Sequence, residues 1–321
     1  MPSKASATAH PIQGLVKYHG LKDPILRLPY HDSISVCTAP LITRTTIEFG
    51  DFDRDEAVLD GAPLAGHEMA RVLAVVDAIR AKAGLREKFR MMSVNGFPSN
   101  VGLGASASGF AALALASCEA AGLGHDLHGV SIFARRGAGS ATRAVTGAFS
   151  KWRMGLKDED SYAEQLAGED LQMGMIVALV PAYKQTESAH REVLTSPFFH
   201  ARLAEMPRLL MEMELAIRKR DVGQICALAE RDTLMLHGIT MTGETEMLLW
   251  RPETLQVMLK VRKLREQNIP AFFSIDTGAT VYVNTFPDRV EEVQREIQEL
   301  GLETIRCWVG GPAKLTSEHL F

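Results

Sequence analysis

The sequence predicts an α+β fold in two domains, residues 1–182 and 183–321. Three observations lead there. Short stretches rich in Val, Ile and Thr dominate the first 50 residues, whereas long segments with helical spacing dominate residues 198–267, so strands and helices are segregated. The chain finishes with an apolar strand, an amphipathic helix and another strand. Between the halves, PAYKQTESAHREVLTSP is polar and reads as a hinge, and 321 residues is more than one hydrophobic core usually serves.

Residues 13–18 and 32–48 read as strands from their β-branched content, joined by the polar turn KYHGLKDP. Residues 51–60 are charged and read as a loop. Met69, Val72, Leu73, Val76 and Ile79 recur at three- and four-residue spacing, which predicts a helix over 66–83. Residues 90–94 read as a strand feeding the turn NGFPSNVGLGASASG, and the Ala-rich run after Ala105 favours a helix. GLGHDLHGV leads to a helix around 131–136, and a second small-residue turn, Arg136 to Arg143, opens another helix. Residues 148–152 and 175–180 read as strands, the second apolar throughout and hence buried on both faces. Residues 198–218, 222–237 and 252–267 read as three helices. A strand over 271–275 ends in DTGA, with 281–284 as its continuation or partner; 289–300 is an amphipathic helix and 304–309 the last strand.

Composition narrows the function. Hydrophobic residues at 46% and charged ones at 23% describe an ordinary globular protein, and a net charge of −4 makes no electrostatic case for nucleic acid or anionic membrane. Cys37, Cys118, Cys226 and Cys307 lie far apart without a CxxC pair or a nearby His, so neither a disulfide framework nor a zinc site is expected. The first 14 residues lack the apolar core of a signal peptide, and no run approaches about 18 apolar residues, so a cytoplasmic chain without a membrane partner is the expectation.

The turn before Ala105 carries the first chemistry. Gly102 and Gly104 let successive backbone N–H groups converge on an anion, Ser106 and Ser108 add hydroxyls, and the following helix presents its unpaired N–H groups and partial positive charge. Close packing of a buried helix explains the same composition about as well. The stretch is not a Walker loop, and Ala107 stands where the dinucleotide fingerprint needs Gly.

In company with other segments, the stretch resembles a known family. FPSNVGLGASASGFAAL is similar to the phosphate-binding motif Pro-x-x-x-Gly-Leu-(Gly/Ala)-Ser-Ser-Ala of the GHMP kinase superfamily. Residues 12–23 resemble Asn-Ile-Ala-x-x-Lys-Tyr-Trp-Gly-Lys-Arg-Asp of its mevalonate diphosphate decarboxylase group, and RRGAGSATRAVTGAF resembles that group's Arg-x-Gly-Ser-Gly-Ser-Ala-Cys-Arg-Ser-x-x-Gly-Gly. TSPFFHAR and SIDTGATVYV match its Thr-Ser-Pro-Leu and Asp-Ala-Gly-Pro-Asn-Ala segments, all in collinear order.

The resemblance implies a GHMP-kinase-like fold with a cleft between two domains, ATP and Mg²⁺ as cofactors, a phosphorylated mevalonate as substrate, and a homodimer. It assigns Asp276 to the tertiary C3 hydroxyl as base or orienting group, Arg143 to the substrate carboxylate, and Lys17 to the catalytic site. Tyr18, His19, Lys22, Ser140, Thr186 and Ser188 fall around the substrate. Ser99, Asn100, Gly102, Leu103, Gly104, Ala105, Ser106 and Ser108 fall around the nucleotide, with Ser106 also on the metal. A turn Asp, a surface Arg, a solvated Lys17, an N-cap Ser140 and a core Tyr18 are the structural alternatives. Ile12, His19, Leu21, Ala138 and Ser188–Ala189 depart from the family pattern, replacing Asn, Trp, Lys, Ser and Gly-Met. Several of the lost groups belong to the phosphate end, which implies mevalonate 5-phosphate as substrate and isopentenyl phosphate as product. Compensation by His19 and Lys22 keeps the diphosphate open, as do a 3-kinase that does not decarboxylate and a silent ligand sensor.

Overall fold

The computed structural model describes residues 3–99, 102–181 and 186–321. In chain order it forms β1 (Lys4–Ala9), β2 (Ile12–Val16), β3 (Leu21–Asp23), β4 (Leu28–Pro29), β5 (Ser33–Ala39), β6 (Thr43–Gly50), β7 (Glu56–Leu59) and β8 (Ala62–Pro63). Next come α1 (Gly66–Ala83), β9 (Lys88–Asn95), α2 (Ala105–Ala120), α3 (Leu127–Gly137), α4 (Ala141–Thr146), β10 (Phe149–Trp152), β11 (Ala163–Ala167) and β12 (Gly174–Ala178). The remainder is α5 (Thr186–Glu192), α6 (Phe199–Arg218), α7 (Val222–Met241), α8 (Pro252–Glu266), β13 (Phe272–Ser274), β14 (Val281–Thr285), α9 (Val290–Gln298), β15 (Thr304–Val309) and β16 (Lys314–Thr316).

The fold is α+β, as expected, with two main sheets. One runs β16-β1-β6-β9-β7-β8; the other runs β11-β10-β5-β15-β12-β14-β13, with β2 added against β5. The stretch 32–48 breaks into β5 and β6 at Pro40, which has no N–H to donate to a ladder. Two strands depart from expectation. β1 is written KASATA, with little β propensity, yet pairs with both β6 and β16. Its Ala5, Ala7 and Ala9 are buried in the cluster that also holds α2, where small side chains allow close approach. The charged segment 51–60 contains β7, which pairs in parallel with β9 and buries Ala57.

α2 is surrounded rather than amphipathic. Ala107, Ala111, Ala112, Ala114 and Ala116 are all buried, and the helix packs on β1 and β6 on one side and on α3 and α4 on the other. In β12, Met175 and Val177 enter the cluster under α6 and α7, while Ile176 and Ala178 enter the one under α8 and α9. That two-sided burial is why the strand is apolar throughout. The polar stretch after Pro181 is helical from Thr186, as α5. This arrangement brings the end of β2, the start of α2, the start of α4, α5 and the residues after β13 to one place.

Candidate active site

A cleft of about 550 Å³ forms where those segments meet. Lys17, Tyr18, His19, Ser140, Arg143 and Asp276 line it, with Gly102 and Gly104 from the turn before α2. Residues from three regions more than a hundred positions apart are therefore neighbours. Gly104 is the N-cap of α2 with φ near +74°, and no side chain caps the helix there. A β-carbon at Gly104 would sit 3.1 Å from the Ile12 carbonyl oxygen, so both backbone angle and space call for glycine.

Asp276 follows β13 by two residues. The Gly14 N–H donates to its Oδ1 at 3.2 Å and lies 3.4 Å from its Oδ2. A β-carbon on Gly14 would come within 2.9 Å of Asp276 Oδ1 and 2.6 Å of Lys17 Cγ, so only glycine lets strand, carboxylate and lysine approach this closely. A glycine inside a strand pattern is the sequence signal for such an approach.

Lys17 is 4% exposed. Its ammonium donates to Ser274 Oγ at 2.9 Å and Thr233 Oγ1 at 3.0 Å, and lies 3.6 Å from Asp232 Oδ2. Asp232, fully buried on α7, also accepts from the Lys17 backbone N–H at 2.9 Å and from Arg202 at 2.7 Å. Burial holds the Lys17 pKa below its usual value, although Asp232 and Asp276 pull it back up. Asp232 thus compensates two buried cations. Asp232→Asn is expected to lower unfolding free energy by about 3 kcal/mol, because removing one member of a buried ionic group strands the others. Denaturant unfolding checks this, and a loss below about 1 kcal/mol contradicts it.

Arg143 is 2% exposed, its guanidinium 5.4 Å from the Tyr18 ring centroid and 5.9 Å from that of Trp152. It donates to Ser33 Oγ, and Nε has no hydrogen-bond partner among the described residues. No carboxylate of the described residues forms an ion pair with it. Burial lowers its pKa to about 10. A buried guanidinium without a carboxylate partner is costly unless a ligand supplies the anion. Ser140 is the N-cap of α4 yet makes no capping bond with its side chain.

Other sequence-predicted residues fall elsewhere. The Lys22 ammonium donates to the Gly155 carbonyl and is not among the residues lining the cleft. Ser188 lies on α5 beside a separate hollow with Arg191 and Thr195. Ser99, Ala105 and Ser106 line a second cavity of about 770 Å³ with Glu68, Arg71 and Phe110, so the turn before α2 contributes to both spaces. Ser108 is buried and hydrogen-bonded to Thr43 at 2.7 Å, and Leu103 is core. Asn100 and the Thr186 side chain lie outside the described residues. Sequence reading missed Gly14, Thr277 and His190 in the cleft and Asp232 beneath it.

Buried imidazoles make the fold acid-sensitive. Burial lowers the pKa of His31 to about 4 and that of His237 to about 3, from 6.5. Below pH ~6.5 the unfolded chain protonates both while the folded chain does not, so stability falls as pH drops toward 4, by up to about 1.4 kcal/mol per pH unit for each. The melting temperature should be lower at pH 5.0 than at pH 7.5, and His31→Gln should flatten that slope. A slope identical to wild type removes His31 from this account.

Residues 9–163 match the family model described as the diphosphomevalonate decarboxylase-like N-terminal domain. The phosphomevalonate decarboxylase of Haloferax volcanii is 48% identical over 319 residues, covering 98% of each chain. The chain belongs to the diphosphomevalonate decarboxylase family. Solved members of the family share its fold. The crystal structure of mevalonate diphosphate decarboxylase from Staphylococcus aureus superposes with a TM-score of 0.93 at 27% identity, over 99% of each chain. A structure described as MDDEF in complex with MVAPP, AMPPCP and magnesium gives a TM-score of 0.92 at 28% identity, over 98% of this chain and 99% of that one. No described helix is long and apolar enough to cross a membrane.

Proposed function

We propose that the chain catalyses ATP-dependent decarboxylation of mevalonate 5-phosphate, giving isopentenyl phosphate, ADP, phosphate and CO₂. The observation that carries this reading is the pairing in one cleft of Asp276 with a buried Arg143 that lacks a carboxylate partner among the described residues. A substrate with a carboxylate and a nearby hydroxyl supplies what both groups need. The 48% identical relative that spans the chain is named for the monophosphate reaction, which supports the same choice.

A tertiary alcohol is a poor leaving group, and phosphorylation makes its departure feasible. Asp276 engages the C3 hydroxyl, taking or orienting its proton as the γ-phosphoryl group of ATP is transferred to the oxygen. The C3–O bond then breaks with loss of phosphate, the C–C bond to the carboxylate supplies its electron pair, and CO₂ leaves as the alkene forms. Arg143 holds the carboxylate in a forked pairing, and Lys17 adds positive charge beside Asp276. The uncapped start of α2 faces the phosphates, and the cavity lined by Ser99, Ala105 and Ser106 takes the rest of the nucleotide. Among the described residues no cluster of three acidic, His or Cys groups stands ready for a metal, which fits Mg²⁺ held mainly by triphosphate oxygens with Ser106 as the protein group. When bound, Mg²⁺ neutralises charge on the triphosphate. We extend the proposal to a division at about residue 182 and to a homodimer in the cytoplasm.

Purified protein should be assayed with mevalonate, its 5-phosphate and its 5-diphosphate, with ADP and CO₂ followed together. Equal release of both from the monophosphate is expected. Much faster turnover of the diphosphate overturns the substrate assignment; ADP without CO₂ identifies a kinase, and neither product from any substrate identifies a binding protein.

A further inference from the structure

Part of the cleft wall is a stack of aromatic rings. The connection after β2 delivers Tyr18 and His19, and α5 delivers His190. The His190 ring stacks on Tyr18 at 5.1 Å between centroids and lies 4.9 Å from that of His19. The Gly20 N–H donates to His190 Nδ1 at 3.3 Å, which places the proton of a neutral His190 on Nε2. His19 is 6% exposed, and neither of its ring nitrogens has a hydrogen-bond partner among the described residues. Buried polar atoms are nearly always satisfied, so a side chain that lines a cleft in this state is waiting for a ligand.

The charges around His19 identify the ligand class. Burial and the positive field of His190, Arg202, His237 and Lys17 keep its pKa well below the usual histidine value. A neutral imidazole in a positive field offers one N–H donor and one acceptor nitrogen. A phosphate monoester, whose second proton is lost near pH ~6, has both anionic oxygens and a P–OH to match. Room for a further phosphate is not furnished with cations here. Gly20 is backed by Leu194, Tyr30 and Phe199, and the Lys22 ammonium is committed to Gly155.

We propose that His19 and His190 together determine the phosphorylation state of the substrate by seating a single terminal phosphate. This rests on the function proposed above and adds to it a residue, His190, and a selectivity mechanism. His19 satisfies its unpartnered nitrogens on the phosphate, and His190 fixes the His19 ring and adds its own Nε2–H. Tyr18 keeps both rings in register.

The test is the ratio of kcat/KM for mevalonate 5-phosphate to that for the 5-diphosphate in wild type, His19→Phe and His190→Phe, which keep the rings and remove the nitrogens. Each variant should raise KM for the monophosphate at least tenfold, change kcat less than threefold, leave KM for ATP unchanged and lower the ratio at least tenfold. His19→Gln, which keeps a donor and an acceptor, should recover part of the affinity, and it takes the place of His19→Phe if that variant fails to fold. Selectivity within twofold of wild type in the folded His19 and His190 variants overturns the inference, as does an equal loss for unphosphorylated mevalonate, since either outcome reduces the rings to packing. A wild type that prefers the diphosphate overturns the proposed function instead, and is seen before any variant is made.

Discussion

Replacing Asp276 by Asn is expected to lower turnover of mevalonate 5-phosphate by about a thousandfold, in the range typical of losing a positioned acid–base group. Nucleotide affinity should stay within about threefold. The replacement is nearly isosteric, and an amide oxygen can still accept from the Gly14 N–H that now holds the carboxylate at 3.2 Å. The geometry of the strand end therefore survives while the proton acceptor is lost. Two further consequences separate this from misfolding. Asp276 helps keep Lys17 and Arg143 charged, so its loss should push the Lys17 pKa further down. The fold should melt close to the wild-type temperature, because the Lys17 ammonium keeps Asp232, Thr233 and Ser274. Steady-state release of ADP and CO₂, with nucleotide titration on the same sample, measures both sides. A variant within tenfold of wild-type turnover removes Asp276 from the chemistry.

Where sequence and structure agree, the physics is local. α1 was legible because Val72, Val76 and Ile79 recur on one face, and all three are buried. β12 was legible because a two-sided strand must be apolar at every position. β1 was not, because its alternation of Ala with polar residues satisfies a constraint set by α2, which is distant in the chain and demands small partners. β7 was hidden by charges that stay on its exposed positions while Ala57 turns inward. The same distinction divides the site. Asp276, Lys17 and Arg143 sit in recognisable motifs and line one cleft. Asp232 belongs to no motif used here, and its importance appears only when α7 lies against β2 and brings it to the Lys17 backbone. His190 sat in a polar stretch with no period, and only the helix α5 aims it at Tyr18.

Arg143→Gln should lower kcat/KM for mevalonate 5-phosphate by roughly a hundredfold, the equivalent of about 3 kcal/mol for losing one side of a buried charge-assisted pair. The loss should divide unevenly. A cation that grips the carboxylate stabilises the very group that must leave as CO₂, so its removal weakens binding and orientation while easing the last bond cleavage. KM should therefore rise by more than kcat falls, in contrast to Asp276→Asn. Stability gives an independent reading. Arg143 is buried without a carboxylate partner among the described residues, and burial already lowers its pKa to about 10, so the empty protein bears a desolvation cost that the substrate offsets. Gln at this position should leave the melting temperature unchanged or raise it, whereas a structural arginine would lower it when lost. Lys should fall between, since it keeps the charge and loses the fork. A fall in melting temperature with unchanged KM would return Arg143 to the core, as a residue that braces Tyr18 and Trp152.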